Sequence, residues 1–339
     1  MNAKSEVTFI EYFRGLFNIY KIKLFFLLTL SKNLSFHSVI NLIKAILGKK
    51  YVLLIFKNGS NLKINREEIF TTLWYFFDKM TIDIRIKKVQ TTLDIQIHNN
   101  DGKRFLQLSY LNENIQFSYN SDDILLTILM ALEVTFIQRK WKVIECKDNI
   151  IVDVGGNIGD TGVFFYLNGA RKVITIEPFP SLFEILKDVV NNLKNDNIVP
   201  INNTFEGFVE GHSFKPIKSE VNPYFGSNFR EHETSYLDDF PGIEDSSSDE
   251  LLNCDNYHDK CILKLSCAGC EYYLVNLSKE YLRKFKQIVV EYNYGYRSIC
   301  NKLLKSGFHV THSKPIGVFG RSLKDHNVFL GMIIAVRQD

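Results

Sequence analysis

The sequence predicts an open, doubly wound α/β sheet preceded by a helical segment and a small antiparallel β-rich domain. Three observations carry this expectation. Residues 150–178 run apolar strand, glycine turn, helix, strand, acid, the order of a βαβ nucleotide-binding unit. Downstream, short apolar runs alternate with helical stretches, which builds a parallel sheet through crossovers. Upstream, residues 51–120 alternate apolar and polar side chains between turn signals, the pattern of half-buried antiparallel strands. At 339 residues there is room for one large domain or two, and 45% hydrophobic with 23% charged residues is ordinary for a globular chain. A net charge of +3 leaves no global footprint for nucleic acid, so no such partner is expected.

Residues 1–50 are basic and apolar, with Lys or Arg at 4, 14, 21, 23, 32, 44, 49 and 50 against only Glu6 and Glu11. The uncharged run from Leu24 to Ser31 is far shorter than the roughly 20 residues of a membrane span, and no leader cleavage site follows it. Phe36, Val39, Ile40, Ile43 and Ile46 or Leu47 share a helical face, with Ser35 as N-cap and Gly48 as stop. Two roles stay open: helices packed on the rest of the protein, or an amphipathic element lying on an anionic membrane. Without a leader, the six cysteines fit a reducing cytoplasm better than a disulfide framework.

Tyr51–Phe56 and Asn61–Ile64 flank Asn58-Gly59, a hairpin signal. Glu67–Asp78 reads as a helix. Ile82, Ile84 and Ile86, then Leu93, Ile95 and Ile97, alternate as strands, and Phe105–Tyr110 and Ile115–Tyr119 complete one sheet. Its role, a cap over the substrate or an interaction module, stays open. Ser121 caps a helix running to about Ile137, so a second domain is expected to span 121–339. Trp141–Cys146 is expected as a short strand.

The central stretch begins with the strand Ile150–Val154. Gly155-Gly156-Asn157-Ile158-Gly159 forms the turn, where backbone must approach a ligand and φ can be positive. Asp160–Asn168 is a helix closed by Gly169. The strand Lys172–Ile176 ends on Glu177, twenty-two residues after Gly155, placed to accept hydrogen bonds from ribose hydroxyls. Ser181–Leu193 is a helix and Ile198–Ile201 a third strand, with Asn202 where an adenine edge would lie. Residues 204–250, turn-rich and then acidic, look like an insertion that chooses the substrate. Cys261–Ser266 and Gln287–Glu291 are strands around a helix at about Glu271–Lys284. A helix at Ile299–Ser306 precedes Phe308–Thr311, and Val328–Val336 closes the sheet antiparallel.

Asp153-Val-Gly-Gly-Asn-Ile-Gly-Asp160, followed by Thr161 and later by Glu177-Pro178, resembles the S-adenosylmethionine loop of class I methyltransferases. Within them it is similar to the FkbM family, whose pattern runs VDVGANxGDT and then (F/Y)EP. The resemblance covers about residues 121–339. It implies a Rossmann-like class I fold and S-adenosylmethionine as cofactor, held by Asp153, Gly155, Gly156, Asn157, Gly159, Asp160, Thr161, Glu177, Pro178, Phe179 and Asn202. It also implies methylation of a hydroxyl on a sugar, glycolipid or other small metabolite. A nicotinamide-dependent oxidoreductase is disfavoured by the irregular glycine spacing. The family's fourth strand ends in Asp and Glu where this chain has Ser266 and Ala268, and its fifth-strand histidine is Asn293. Glu271 and Glu291 remain as candidate bases, against the plainer reading of both as structural acids. The missing carboxylates leave open a second class of function, a cofactor-binding scaffold that has lost catalysis. Cys267-Ala-Gly-Cys270 is a lone C-x-x-C where zinc would want two such pairs, so no metal is expected.

Overall fold

The computed structural model describes residues 6–18, 21, 35–38, 40–41, 51–55, 57, 59, 61–65, 82–100, 103–205, 260–267, 269–318 and 328–338. The expected helix at Glu67–Asp78, nearly all of the 204–250 insertion, and Ala268 lie outside them.

Seven strands form the main path of the central sheet: β6 (Ile150–Val154), β7 (Lys172–Ile176), β8 (Ile198–Ile201), β9 (Cys261–Leu265), β10 (Gln287–Tyr292), β11 (Phe308–His312) and β13 (Val328–Arg337). Their spatial order is β11-β13-β10-β9-β6-β7-β8, and β12 (Ile316–Val318) pairs with β13 off this path. β13 runs antiparallel to both β10 and β11, while β9, β6, β7 and β8 are parallel. This is the doubly wound class I sheet that the sequence predicts. The order reverses between β6 and β9: the chain goes from β6 outward through β7 and β8, then returns to β9 on the other side. Open α/β sheets bind ligands in the crevice outside the carboxyl ends at such a reversal.

The strands are apolar on both faces because both are covered. One face packs on α2 (Asp122–Leu132), α3 (Asp160–Leu167) and α4 (Pro180–Leu193) through Leu125, Phe164, Leu186 and Val189. The other packs on the 3-10 turn Cys270–Asn276, α5 (Lys279–Leu282) and α6 (Arg297–Lys305) through Leu274, Leu282, Ile299 and Leu303. The three-stranded sheet β3 (Asp94–Asn100), β4 (Lys103–Tyr110) and β5 (Glu113–Ser118) joins the first of these cores through Leu106, Leu108, Ile115 and Phe117. A continuous core therefore crosses Ser121, whose hydroxyl caps α2 by accepting from the Ile124 N–H at 3.3 Å.

Several local expectations are corrected. Residues 51–120 hold two separate sheets among the described residues: the hairpin β1 (Tyr51–Ile55) with β2 (Asn61–Asn65), and β3–β5. Ile82, Ile84 and Ile86 lie on helix α1 (Ile82–Gln90), not on a strand. Ile82, Ile86 and Val89 are spaced for one helical face and pack on the core, leaving Ile84 68% exposed. The same geometry brings Arg85 and Lys88, three apart, onto the Glu133 carboxylate, a pairing that a strand would prevent by placing them on opposite sides. Trp141–Cys146 is no strand; Lys140–Val143 is a 3-10 turn. The helix expected at Glu271–Lys284 is broken after Asn276, and Ser278 caps the short α5 by accepting from the Tyr281 N–H at 3.0 Å. Phe36, on the helical face for which packing inward and lying on a membrane both stay open, is 79% exposed. Ser38 docks that helix instead, its hydroxyl bonded to the main chain of Ile55.

Candidate active site

The strand register builds the site. β6 reads IIVDV and β9 reads CILKL, each with one charged residue in fourth place. Parallel pairing sets Asp153 beside Lys264, and Asp153 beside Thr175 on β7. Because side chains alternate, all three project to the face that α3 and Trp141 cover. Lys264, 1% exposed, meets three oxygens: the Asp153 Oδ1 at 2.6 Å, the Val154 carbonyl at 3.2 Å and the Gly155 carbonyl at 3.1 Å. Its ammonium also lies 4.9 Å from the ring centre of Trp141. An ammonium carries three protons, so one cation meets an acid and two loop carbonyls at once. The second oxygen of Asp153 accepts from the Thr161 hydroxyl at 2.5 Å. Asp153 and Thr161 thus tie the strand end to the first turn of α3 from beneath.

The glycines are dictated as much by protein as by any ligand. Gly155 has φ +75°, and a Cβ there would fall 2.1 Å from the Ser266 carbonyl oxygen. At Gly156 and Gly162 a Cβ would fall 2.0 Å and 2.6 Å from the Thr175 side chain. The loop is pressed onto β7 and the end of β9. Gly155→Ala combines a left-handed backbone with a clash against main chain and is expected to destabilise the fold by about 3 kcal/mol. A denaturant midpoint equal to wild type would contradict this contact.

Glu177 stands at the carboxyl end of β7, facing the loop. Its Oε2 accepts from the Asn157 N–H at 2.8 Å and its Oε1 from the Phe179 N–H at 3.0 Å. The Asn202 amide, at the end of β8, donates to the Glu177 carbonyl at 2.8 Å. Burial pushes the Glu177 carboxyl up to about 7, against the opposing pull of those two N–H groups. A carboxylate offers about four lone-pair sites, and the described residues take two of them. Gly159 opens α3 with φ +90° and gives it no side-chain cap. Pro178 and Phe179, half buried, lead from Glu177 into α4.

Asp160 points elsewhere. Its Oδ2 accepts from the Thr135 hydroxyl at 2.5 Å, beneath the helix, and burial lifts its carboxyl to about 6. Gly155, Gly156, Asn157, Gly159, Glu177, Pro178, Phe179 and Asn202 are brought together at the carboxyl ends of β6, β7 and β8, whereas Asp153, Asp160 and Thr161 pack beneath the turn.

The two candidate bases differ in kind. Glu271 is fully buried, with Oε1 accepting from the Asn293 N–H at 3.1 Å and its amide at 2.9 Å. Its Oε2 accepts from the Gly269 N–H at 2.6 Å. It pins the turn after β9 to the end of β10, and burial raises its carboxyl above the usual range. Glu291 is 22% exposed; Lys140 binds its Oε1 and the Ser266 hydroxyl donates to Oε2 at 2.6 Å. Burial opposes its ionisation, but Lys140 and Ser266 hold it below the ordinary carboxylate range. Cys267 and Cys270, read from sequence as thiols, are joined in a disulfide across this same turn, their Cα atoms 5.5 Å apart. Among the described residues no cluster of His, Cys, Asp or Glu could hold a metal ion.

Sequence reasoning missed Lys264 as a loop anchor, together with Trp141, Lys140 and Thr135. The signal for Lys264 was present: a lone charge in an otherwise apolar buried strand must have a partner, and IIVDV offers one at the matching place.

No protein-family profile matches the chain, and no curated protein matches it in sequence. Solved structures do. M. jannaschii TYW2 in complex with AdoMet is 12% identical with a TM-score of 0.34, over 72% of this chain and 87% of that one. Aeropyrum pernix fibrillarin with natively bound S-adenosyl-L-methionine is 13% identical with a TM-score of 0.33, over 85% and 94%. P. horikoshii TYW2 in complex with MeSAdo is 13% identical with a TM-score of 0.35, over 90% and 84%.

Proposed function

We propose that the chain is an S-adenosylmethionine-dependent methyltransferase of the FkbM type, acting on a hydroxyl of a sugar, glycolipid or other small metabolite. One observation carries the reading: Glu177 and the Gly155–Gly159 turn meet at the sheet's reversal, joined by the Asn157 N–H bond to the Glu177 carboxylate. The residues fit the cofactor. Glu177 keeps lone pairs for two ribose hydroxyls, the uncapped start of α3 suits a carboxylate, and Asn202 and Phe179 flank the place of an adenine. When bound, S-adenosylmethionine supplies a methyl group on a sulfonium, whose transfer to an acceptor oxygen leaves a neutral thioether.

The chain's own part is to position the two reactants, which is the larger share of such a displacement. Glu291 faces the crevice more openly than Glu271 and is our candidate for orienting the acceptor hydroxyl and taking its proton. Held ionised by Lys140, it would be a ready acceptor but a weak base, and general-base help of 10²–10⁴-fold would be realised only in part. Titration calorimetry with S-adenosylmethionine and with a nicotinamide dinucleotide tests the cofactor assignment. Binding of the first is expected, and binding of the second alone would overturn it. Mass spectrometry of hydroxyl acceptors after incubation tests the transfer.

A second reading is favoured by Ser266, which gives Glu291 a hydroxyl where the family pattern has a carboxylate. It makes the chain a cofactor-binding scaffold without catalysis. Methyl transfer by the wild-type chain to any hydroxyl acceptor would remove it. Turnover appearing from zero in Ser266→Asp with Ala268→Glu would support it.

A further inference from the structure

The helix at residues 9–18 is docked by one side only. Thr8 and Glu11 form a reciprocal cap at its start, with the Glu11 N–H donating to the Thr8 hydroxyl and the Thr8 N–H to Glu11 Oε2. Tyr12 stacks on Phe329 with ring centres 5.3 Å apart, and Gly15 lies so close that a Cβ would fall 2.3 Å from the Phe329 ring. Phe329 opens β13 opposite the end of β10, since Gly331 pairs with Tyr292. The helix therefore sits on the carboxyl-end rim of the sheet, at β10 and β13.

Its other side is bare. Phe9, Ile10, Phe13 and Phe17 are 71%, 69%, 54% and 61% exposed, and their spacing of about four residues makes them one stripe. Arg14 is exposed beside the stripe, and the Lys21 ammonium lies 4.6 Å from the Phe17 ring centre. Both acids of residues 1–50 are turned inward. Glu6 Oε2 accepts from the Ser298 N–H at 2.8 Å and its hydroxyl at 2.9 Å, and Glu11 Oε2 accepts from the Tyr296 hydroxyl at 3.1 Å. Among the described residues the outward surface is thus apolar and cationic, with Arg14 and Lys21 beside the stripe and no acid of the first 50 residues turned toward it.

We propose that this stripe is a peripheral membrane anchor that holds this rim of the sheet against an anionic lipid surface. The charge selects the occupant. A second copy would bring Arg14 and Lys21 against their own like, whereas anionic headgroups attract each cation near the surface. Aromatic rings flanked by Lys and Arg seat at the boundary of headgroups and acyl chains. No helix of the described residues is long and apolar enough to cross a membrane. Lipid binding is read without methyl transfer, so this inference stands independently of the reaction proposed above.

Co-sedimentation of the full chain with vesicles tests it. Wild type is expected to pellet with phosphatidylcholine vesicles containing phosphatidylserine, to stay soluble with phosphatidylcholine alone, and to be released by salt. Phe13→Ser with Phe17→Ser should lower binding roughly ten-fold. Arg14→Glu with Lys21→Glu, which keeps every ring of the stripe, should also abolish the preference for phosphatidylserine. Failure of wild type to pellet with the anionic vesicles would overturn the proposal, as would both pairs of variants binding like wild type. A solution dimer that the phenylalanine variants dissolve would assign the stripe to a second copy and overturn it equally.

Discussion

Glu177→Ala is expected to reduce S-adenosylmethionine affinity about 100-fold or more in titration calorimetry. A hydrogen bond to a charged acceptor contributes about 1.5–3 kcal/mol, and the ribose offers two hydroxyls to the lone pairs that Asn157 and Phe179 leave. The substitution also frees those two N–H groups, which hold the loop toward β7. The pH dependence carries a second signature. With the Glu177 carboxyl lifted to about 7 by burial, ribose binding favours the ionised form, so affinity should rise with pH and level off above about 7. For stability alone the sign is opposite. A folded pKa raised from 4.5 contributes stability that is fully present below 4.5 and is lost as pH rises through about 7. The cofactor's thermal stabilisation should therefore grow between pH 6 and 8 in wild type, a trend that Glu177→Gln is expected to flatten. Unchanged affinity in Glu177→Ala would remove this residue from the site.

What the sequence made legible follows how local each signal is. β6 and β7 were readable to the residue because a buried parallel strand is a short apolar run between a turn and an acid, with no competing pattern. Gly155 was readable as obligatory, but its reason was only half visible: the Ser266 carbonyl that excludes a side chain is over a hundred residues away in sequence. Residues 82–86 misled because three isoleucines at alternate positions fit a strand as well as part of a helix. Only Val89 and the distant Glu133, which needs Arg85 and Lys88 on one side, decide the period. Glu271 looked like a base because it stands at a strand's end. Only the fold shows that the Gly269 and Asn293 groups occupy both of its oxygens. In each case part of the missing information was a contact with a residue distant in sequence, Ser266, Glu133 or Asn293, which composition and spacing do not carry.

Lys264→Met is the substitution expected to destabilise the fold most. Asp153 is 0% exposed, and removing its cation leaves a buried charge without compensation, at about 3–5 kcal/mol. The Val154 and Gly155 carbonyls lose a donor at the same time. The melting temperature and denaturant midpoint of Lys264→Met should both fall well below wild type. Pairing it with Asp153→Leu distinguishes two roles for the ion pair. Replacing both ions by apolar side chains removes the stranded charge and should recover most of the lost stability. The loop would still lack the cation that draws two of its carbonyls onto β9, and the acid that receives the Thr161 hydroxyl. Cofactor affinity in the double variant should therefore stay at least ten-fold below wild type even when the fold is restored. Recovery of both together would reduce the pair to packing, while no loss of stability in Lys264→Met would show that Asp153 and Lys264 do not meet.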